Sequence, residues 1–304
     1  MGNRFLILVL LSGIIIGSCK EKSGRNTQFV FPDADTFSIS DAEKLSDEAI
    51  DDIVRNMSSP VEISAILQSL SVPFSPEYLA STRDVDRLST NFEKALKLGI
   101  YGADLGYLNM YERTGNSVEV LQSIKKLADG IRVGQFFDFE TIKRLSEGRS
   151  NIDSLLFISV QSYNHIDEYL REGQRGHLSA LMITGVWIEA QYLATQVVRH
   201  YPDDILKNRI GEQKIILNDL IMLLKPYCTS SRDYTRLCEK MENLREKYRD
   251  IKITYTLGEP EAIEVDGRLT VIQHEESVVE MTDQQLLGII ELTKTIRDDL
   301  IAGR

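Results

Sequence analysis

Two acidic side chains on apolar helical segments are the residues of this chain whose positions best suit chemistry. Asp104 lies in the apolar segment Leu98–Tyr111, on the same side as three tyrosines, and Glu189 is the only acid of the segment Leu178–Val198. Two carboxyl groups in one cavity can act as general acid and general base. The alternative is structural, because a carboxylate in a core is costly unless hydrogen bonds satisfy it. In that case we expect the tyrosine hydroxyl groups to donate to Asp104.

A third polar residue, His165, completes the candidate cavity. The short turn Gly173–Gly176 separates its helix from the helix of Glu189, so we expect the two helices to be antiparallel neighbours. If the helices enclose a polar cavity, Asp104, His165 and Glu189 are expected to line it. His165 also precedes Glu168 by one turn, a lone pair that is typical of a solvated helix face rather than of a metal site.

No strong catalytic motif accompanies these residues. The sequence contains no His-Glu-x-x-His, no Gly-x-Ser-x-Gly, no phosphate-binding glycine loop and no Cys-x-x-Cys. We therefore predict no catalytic residue, no metal and no cofactor, and we expect a structural or binding role for the polar residues unless the acids converge.

The elements that must position these residues follow from hydrophobic periodicity. Helical spacing dominates from about residue 41 to residue 250. The pattern then changes, since Lys252–Leu257 alternates and Asp266-Gly267 separates two short apolar runs, which is a hairpin signal. The sequence predicts a mainly α fold, a multi-helix bundle with a small antiparallel β-hairpin element at 251–281 before a C-terminal helix at 282–302.

Glycines mark the side of the segment Leu98–Tyr111 that lies opposite Asp104. Gly99, Gly102 and Gly106 continue the spacing of Ala95. Each glycine inside a helix costs about 0.5–1 kcal/mol relative to alanine, so a stripe of them needs a reason. We expect a neighbouring helix to approach closely along this stripe.

Two cysteines flank a predicted turn between helices. Cys228 and Cys238 are ten positions apart, on either side of the polar segment Thr229–Asp233. An even pair in an exported protein commonly forms a disulfide, which here would tie the end of one helix to the first turns of the next. Two buried reduced thiols remain the alternative.

The N-terminus has the features of an export signal. Arg4 gives a basic start, Phe5–Ile16 is almost entirely apolar, and small residues precede Cys19. This stretch is too short for a comfortable membrane span and is typical of a secretory signal. Ile16-Gly17-Ser18-Cys19 resembles the lipobox of bacterial lipoproteins, which implies cleavage before Cys19 and palmitate and other acyl chains on that residue. An ordinary signal peptide with a chance cysteine is the alternative.

The sequence predicts three parts of the chain, and the lipobox resemblance implies the removal of the first and the lipid on the second. Residues 1–18 form a lipoprotein signal peptide that is removed, residues 19–35 form a lipid-anchored flexible tether, and residues 36–304 form one mostly helical domain. The chain has 46 acidic and 35 basic residues, a formal net charge of −11. This charge disfavours nucleic acid as a partner and offers no polybasic patch to a membrane, so attachment is expected through the lipid on Cys19 alone.

Three stretches together resemble a group of uncharacterised outer-membrane lipoproteins from Bacteroidota. They are Ser59–Ile63, Lys94–Leu105 and Met281–Leu286, and the resemblance covers most of the mature chain. It carries no known activity, and it implies an outer-membrane location. Lys20-Glu21 is followed by Lys22, one acid short of the surface-export signal of that phylum, so we expect the periplasmic face rather than the cell surface.

The sequence therefore favours an outer-membrane-anchored lipoprotein that acts as a non-enzymatic helical scaffold or binding module in the cell envelope. Its partner is expected to be an envelope protein, a glycan or a small ligand. The alternative is an envelope hydrolase or lyase that uses Asp104 and Glu189 in a cavity of the bundle.

Overall fold

The computed structural model describes residues 71–147, 152–257, 261–265, 268–272 and 275–303. The expectations for the signal peptide, Cys19, the tether 19–35 and the helical pattern between residues 41 and 70 lie outside these residues, as does the predicted turn Asp266-Gly267. Within the described residues, the helices are α1 (Asn91–Met110), α2 (Thr114–Gly130), α3 (Phe139–Glu147), α4 (Ile152–Glu172), α5 (Gly176–His200), α6 (Asp204–Leu224), α7 (Arg232–Tyr248) and α8 (Asp283–Ile301). The strands are β1 (Lys252–Leu257), β2 (Glu261–Val265), β3 (Arg268–Ile272) and β4 (Glu275–Glu280).

This architecture confirms the predicted fold class, a mainly α protein with a small β element before its last helix. The strands form two pairs, β1 with β4 and β2 with β3. The second pair is an antiparallel hairpin whose register runs from Glu261 opposite Ile272 to Val265 opposite Arg268. The segment Tyr255–Glu276 belongs to a different compact unit from the helices. None of the described helices combines the length and the apolar composition that a bilayer crossing requires.

Helices α1 and α5 provide most of the core. Helix α1 begins at a capping box, in which Thr90 Oγ1 accepts the Glu93 N–H at 3.1 Å and the Glu93 carboxylate accepts the Thr90 N–H at 3.0 Å. Helix α5 is buried on nearly every side, and its Trp187 is 2% exposed, with the indole N–H donating to Gln213 at 2.9 Å. Polar groups carried by these two helices are therefore placed inside the protein rather than at its surface.

A pair of glycines allows α1 and α5 to approach closely. A Cβ atom on Gly99 would lie 2.0 Å from the Met182 carbonyl oxygen, and one on Gly185 would lie 2.2 Å from the Leu96 carbonyl oxygen. The expected close approach is thus confirmed for Gly99. It is wrong for Gly102 and Gly106, where nothing lies within 4 Å of an added Cβ. Within the stripe, α5 therefore packs against Gly99 but not against Gly102 or Gly106.

A disulfide joins the region after α6 to α7. Cys228 follows the short turn Lys225–Tyr227, and its Cα atom lies 5.8 Å from that of Cys238 in the second turn of α7. Ser231 caps α7 by accepting the N–H of Tyr234. The bridge therefore fixes the connection between two helices at the point where the chain reverses.

Helix α8 returns the chain to the helical unit. Its N-terminus is a second capping box, made by Thr282 and Gln285. The buried side of α8 carries Ile289, Ile290, Thr293, Ile296, Arg297 and Leu300. One arginine thus lies among apolar residues, on the face that packs toward the core.

Candidate functional site

Three charged residues from three helices meet in the core. Asp104 comes from α1, Glu189 from α5 and Arg297 from α8, and their exposed fractions are 0%, 0% and 7%. We refer to these three residues as the acid–arginine cluster. The two acids that the sequence singled out therefore come together, although they are far apart in the chain.

Arg297 holds Glu189 through both carboxylate oxygens. Its Nη2 atom lies 2.7 Å from Glu189 Oε1, and its Nε atom lies 2.9 Å from Oε2. The Nη2 group also donates to the Tyr78 carbonyl oxygen at 2.9 Å, and the guanidinium lies 4.3 Å from the centre of the Tyr192 ring. A forked pair of this kind fixes geometry as well as charge. Arg297 thus joins α8 to α5 and to the segment that precedes α1.

Asp104 completes the cluster beside this ion pair. Its Oδ2 atom accepts the N–H of Ala80 at 3.0 Å, whereas no donor among the described residues reaches Oδ1. The Asp104 carboxyl group is in hydrogen-bonding contact with that of Glu189. Two carboxyl groups in hydrogen-bonding contact require that one of them carries a proton.

The surroundings of the two acids favour protonation of Asp104 rather than of Glu189. Burial, and then the charge of Glu189, raise the pKa of Asp104 well above its ordinary value. Burial also raises the pKa of Glu189, but the hydrogen bonds and positive charge of Arg297 oppose this rise. At neutral pH the arrangement is therefore a neutral Asp104 beside an ionised Glu189, whose charge Arg297 balances.

A fourth buried charge lies near the cluster on α1. Lys97 is 4% exposed, and its ammonium group donates to the carbonyl oxygen of Ile301 at 2.9 Å, at the end of α8. Burial and the positive charge of Arg297 lower the pKa of Lys97. A cation at the C-terminal end of a helix interacts favourably with the helix dipole. Lys97 therefore fastens the last turn of α8 to α1.

The tyrosines do not donate to Asp104, so that expectation is wrong. The Tyr101 hydroxyl group donates to the Ser81 carbonyl oxygen at 2.8 Å, and the Tyr107 hydroxyl group accepts the N–H of Ser75 at 3.1 Å. The segment before α1 crosses this side of the helix and supplies backbone partners to Tyr101 and Tyr107. Its Ala80 N–H, rather than a hydroxyl group, satisfies Asp104.

His165 does not belong to the site, and its assignment to the cavity is wrong. It is exposed on α4. The Tyr163 hydroxyl group, two residues before it, contacts the Ser179 hydroxyl group at 2.8 Å in the first turn of α5. Glu189 lies ten residues further along α5, which corresponds to about 15 Å of helix. Helix α4 therefore meets the beginning of α5, and its His165 is far from the two acids.

Sequence reasoning missed Arg297, although the sequence carries a signal for it. Arg297 follows Thr293 by four positions and Ile296 by one, so it falls on the apolar seam of α8. A single arginine on the buried face of an amphipathic helix requires an acidic partner in the core. Glu189, the only acid on α5, is the matching residue.

Among the clefts that the described residues form are two on the helical unit, and neither of these is lined by Asp104 or Glu189. One has a volume of about 90 Å³ and lies beside Lys97 and the end of α8. The other has a volume of about 710 Å³. It lies between the start of α1, the ends of α2 and α4 and the start of α5. We call it the basic cleft, and its side chains come from Asn91, Arg132, Tyr169, Glu172 and Arg175.

The geometry limits what the acid–arginine cluster can do. General acid–base catalysis requires a carboxyl group within hydrogen-bonding reach of a substrate. Both carboxyl groups are fully buried, and their oxygen atoms contact Arg297, Ala80 and each other. Among the described residues, no group of three or more His, Cys, Asp and Glu side chains is arranged to hold a metal ion.

No protein-family model matches this chain, and no match was found among curated proteins or solved structures.

Proposed function

We propose that this chain is an outer-membrane lipoprotein, anchored by lipid on Cys19, that acts as a non-enzymatic helical scaffold or binding module in the cell envelope. The N-terminal sequence pattern supports the anchor, and the acidic charge supports attachment by lipid rather than by basic residues. The periplasmic face of the outer membrane is the proposed location.

The observation that carries the non-enzymatic role is the burial of Asp104 and Glu189. These acids were the candidates for catalysis, and each is 0% exposed. A buried pair of acids that shares one proton and one arginine holds three helices in a fixed arrangement. The cost of burying these groups is offset by their mutual hydrogen bonds, so the cluster favours one packing of the helices over others.

An envelope hydrolase or lyase that uses the two acids is the weaker candidate. Its first requirement, convergence of the acids, is met, and the raised pKa of Asp104 is also typical of a catalytic acid. Its further requirement is contact with a substrate, and neither acid lines either of the clefts described above. For this reason we assign the cluster to the core.

Fractionation of cells tests the anchor. Wild-type protein is expected in the detergent phase, and Cys19→Ala protein in the aqueous phase, because an acyl chain contributes about 0.8 kcal/mol per buried CH₂ group. Ser23→Ala, a change in the expected tether that spares the cysteine, is the matched control and should behave as wild type. Retention of the Cys19→Ala protein in the detergent phase would contradict the proposal.

Chemical crosslinking in the native envelope tests the binding role. We expect the wild-type protein to form a discrete crosslinked product with an envelope component, and the Cys19→Ala protein to lose this product. A wild-type protein that forms no crosslink, but releases a product from purified envelope polysaccharide or peptidoglycan, would instead support the hydrolase or lyase.

A further inference from the structure

The basic cleft concentrates positive charge on a protein that is acidic overall. Arg132 and Arg175 face one acid, Glu172, among its lining side chains. The Lys94 side chain covers Gly130 at the edge, where an added Cβ would lie 3.8 Å from the Lys94 ammonium nitrogen. Against a net charge of −11 for the whole chain, this local excess of cations marks a place where an anion is favoured.

Arg132 differs from most arginines of the helical unit because it has no acidic partner. Within the described residues, no hydrogen bond or ion pair of its side chain is found. It adopts a left-handed φ of 62° directly after α2, and no ion pair joins it to Asp129, three residues before. Other arginines pair with an acid three residues away on one side or the other, namely Arg87, Arg209, Arg236, Arg245 and Arg249.

Two contacts hold the Arg175 guanidinium in place and leave further N–H donors for a ligand. One guanidinium N–H donates to the Ile131 carbonyl oxygen at 3.0 Å, and the group lies 5.3 Å from the centre of the Tyr169 ring. A guanidinium has five N–H donors in a planar fork, so most of them remain for a ligand. Helix α5 begins next to it at Gly176, and no side chain caps this N-terminus. A helix N-terminus adds partial positive charge to the same region.

From these contacts we propose that the basic cleft binds a small, hydroxylated ligand that carries an oxyanion, such as a sugar phosphate or a sugar acid. The fork of Arg132 and Arg175 suits phosphate and carboxylate oxygens. Asn91 and Glu172 provide amide and carboxylate groups for hydroxyl groups of the ligand. The cleft volume of about 710 Å³ is in the range of small-molecule sites and exceeds the size of a bare phosphate ion. This inference rests on the proposed binding role, since it names a ligand class for it.

Calorimetric titration of the mature protein tests the cleft with four probes. Glucose 6-phosphate and glucuronate are expected to bind with dissociation constants below about 1 mM, and neutral glucose is expected not to bind. The charged sugar that binds with the higher affinity identifies the preferred oxyanion as phosphate or carboxylate. Inorganic phosphate is expected to bind more weakly than glucose 6-phosphate, because it leaves the hydroxyl partners unused.

Two charge reversals locate the site. Arg132→Glu should weaken binding of the charged sugar by at least about tenfold, which corresponds to loss of one charge-assisted hydrogen bond. Arg83→Glu is the matched control, since Arg83 is also exposed and its side chain has no hydrogen bond or ion pair among the described residues. It should leave the affinity within about twofold of wild type, because it changes the net charge equally but lies outside the cleft.

Several results would overturn the cleft as an anion site. These are binding of glucose as tight as that of glucose 6-phosphate, no binding of either charged sugar at millimolar concentration, or an equal loss in Arg83→Glu and Arg132→Glu. A purely structural role for the arginines would appear as a lower melting temperature in Arg132→Glu with no stabilisation of the wild type by charged sugar. A wild-type protein that keeps its envelope crosslink but binds no charged sugar would reject the cleft and retain the proposed binding role.

Discussion

Replacement of Asp104 by asparagine tests whether Asp104 is protonated or ionised in the folded protein. Asparagine retains a carbonyl oxygen that can accept the Ala80 N–H, and its amide N–H can donate to Glu189 in place of the acid proton. Because both hydrogen bonds survive, Asp104→Asn should change the free energy of unfolding by less than about 1 kcal/mol at pH 7.

Replacement of Asp104 by leucine removes both hydrogen bonds at similar volume. The buried Ala80 N–H would be left without an acceptor, which costs about 1–3 kcal/mol. Glu189 would lose a hydrogen-bond donor to its charge at a comparable cost, so the total loss of stability should be about 2–6 kcal/mol. For a domain of this size we expect the melting temperature to fall by about 2–4 °C per kcal/mol.

The pH dependence gives a second, independent readout. Since the folded protein raises the pKa of Asp104, it binds more protons than the unfolded chain between the ordinary value of 3.8 and the raised one. The stability of the wild-type protein should therefore fall as pH rises through this window. Asparagine does not titrate, so the free energy of unfolding of Asp104→Asn should rise relative to that of the wild type as pH rises.

Urea unfolding followed by circular dichroism at several pH values measures these differences. The exposed Asp250, changed to asparagine, is the matched control and should show neither effect. If Asp104→Asn is as destabilising as Asp104→Leu at pH 7, the acid is ionised in the folded protein and the assignment of the proton is refuted.

Three further predictions concern packing, titration and the disulfide. Gly185→Ala should lower the free energy of unfolding by at least about 1–3 kcal/mol, because its Cβ would lie 2.2 Å from a backbone oxygen of α1. Gly102→Ala has open space around its Cβ and should stabilise the helix by about 0.5–1 kcal/mol. Equal melting temperatures of the two variants would contradict the close approach of α1 and α5. Burial raises the pKa of Asp219 from 3.8 to about 6, so the contribution of Asp219 to stability should fall as pH rises through that interval. Asp219→Asn should therefore stabilise the protein at pH 8 but not at pH 3.5. The same effect at both pH values would argue against the shifted pKa. Intact mass after alkylation without reductant should show no modified thiol at Cys228 or Cys238, and two modified thiols would exclude the bridge.

Local patterns predicted the secondary structure well because they depend on neighbours in the chain. The alternation of Lys252–Leu257 and the hairpin signal at Asp266-Gly267 correspond to β1 and to the β2–β3 pair. The C-terminal helix predicted at 282–302 corresponds to α8 (Asp283–Ile301), which begins at the capping box of Thr282 and Gln285. In each case the signal and the structure lie within a few residues of one another, so no knowledge of the tertiary fold is needed.

The candidate site could be predicted only in part, because its contacts join distant residues. The acids Asp104 and Glu189 stood out as lone charges on apolar helices, and they do meet. Their partner Arg297 is 108 residues from Glu189, and sequence periodicity does not show which helices are neighbours. The short turn before α5 predicts that α4 and α5 are neighbours, but it does not show which turns of the two helices meet, so it does not place His165. In fact α4 contacts the first turn of α5, as its Tyr163 shows.

The most direct test of the proposed function is envelope crosslinking by the Asp104→Asn protein. Since Asp104 belongs to the core, an Asp104→Asn protein that melts like the wild type should form the same crosslinked product with the same yield. Loss of that product in a folded Asp104→Asn protein, or accumulation of an unprocessed envelope substrate in its presence, would contradict the account and assign the acid to an active site.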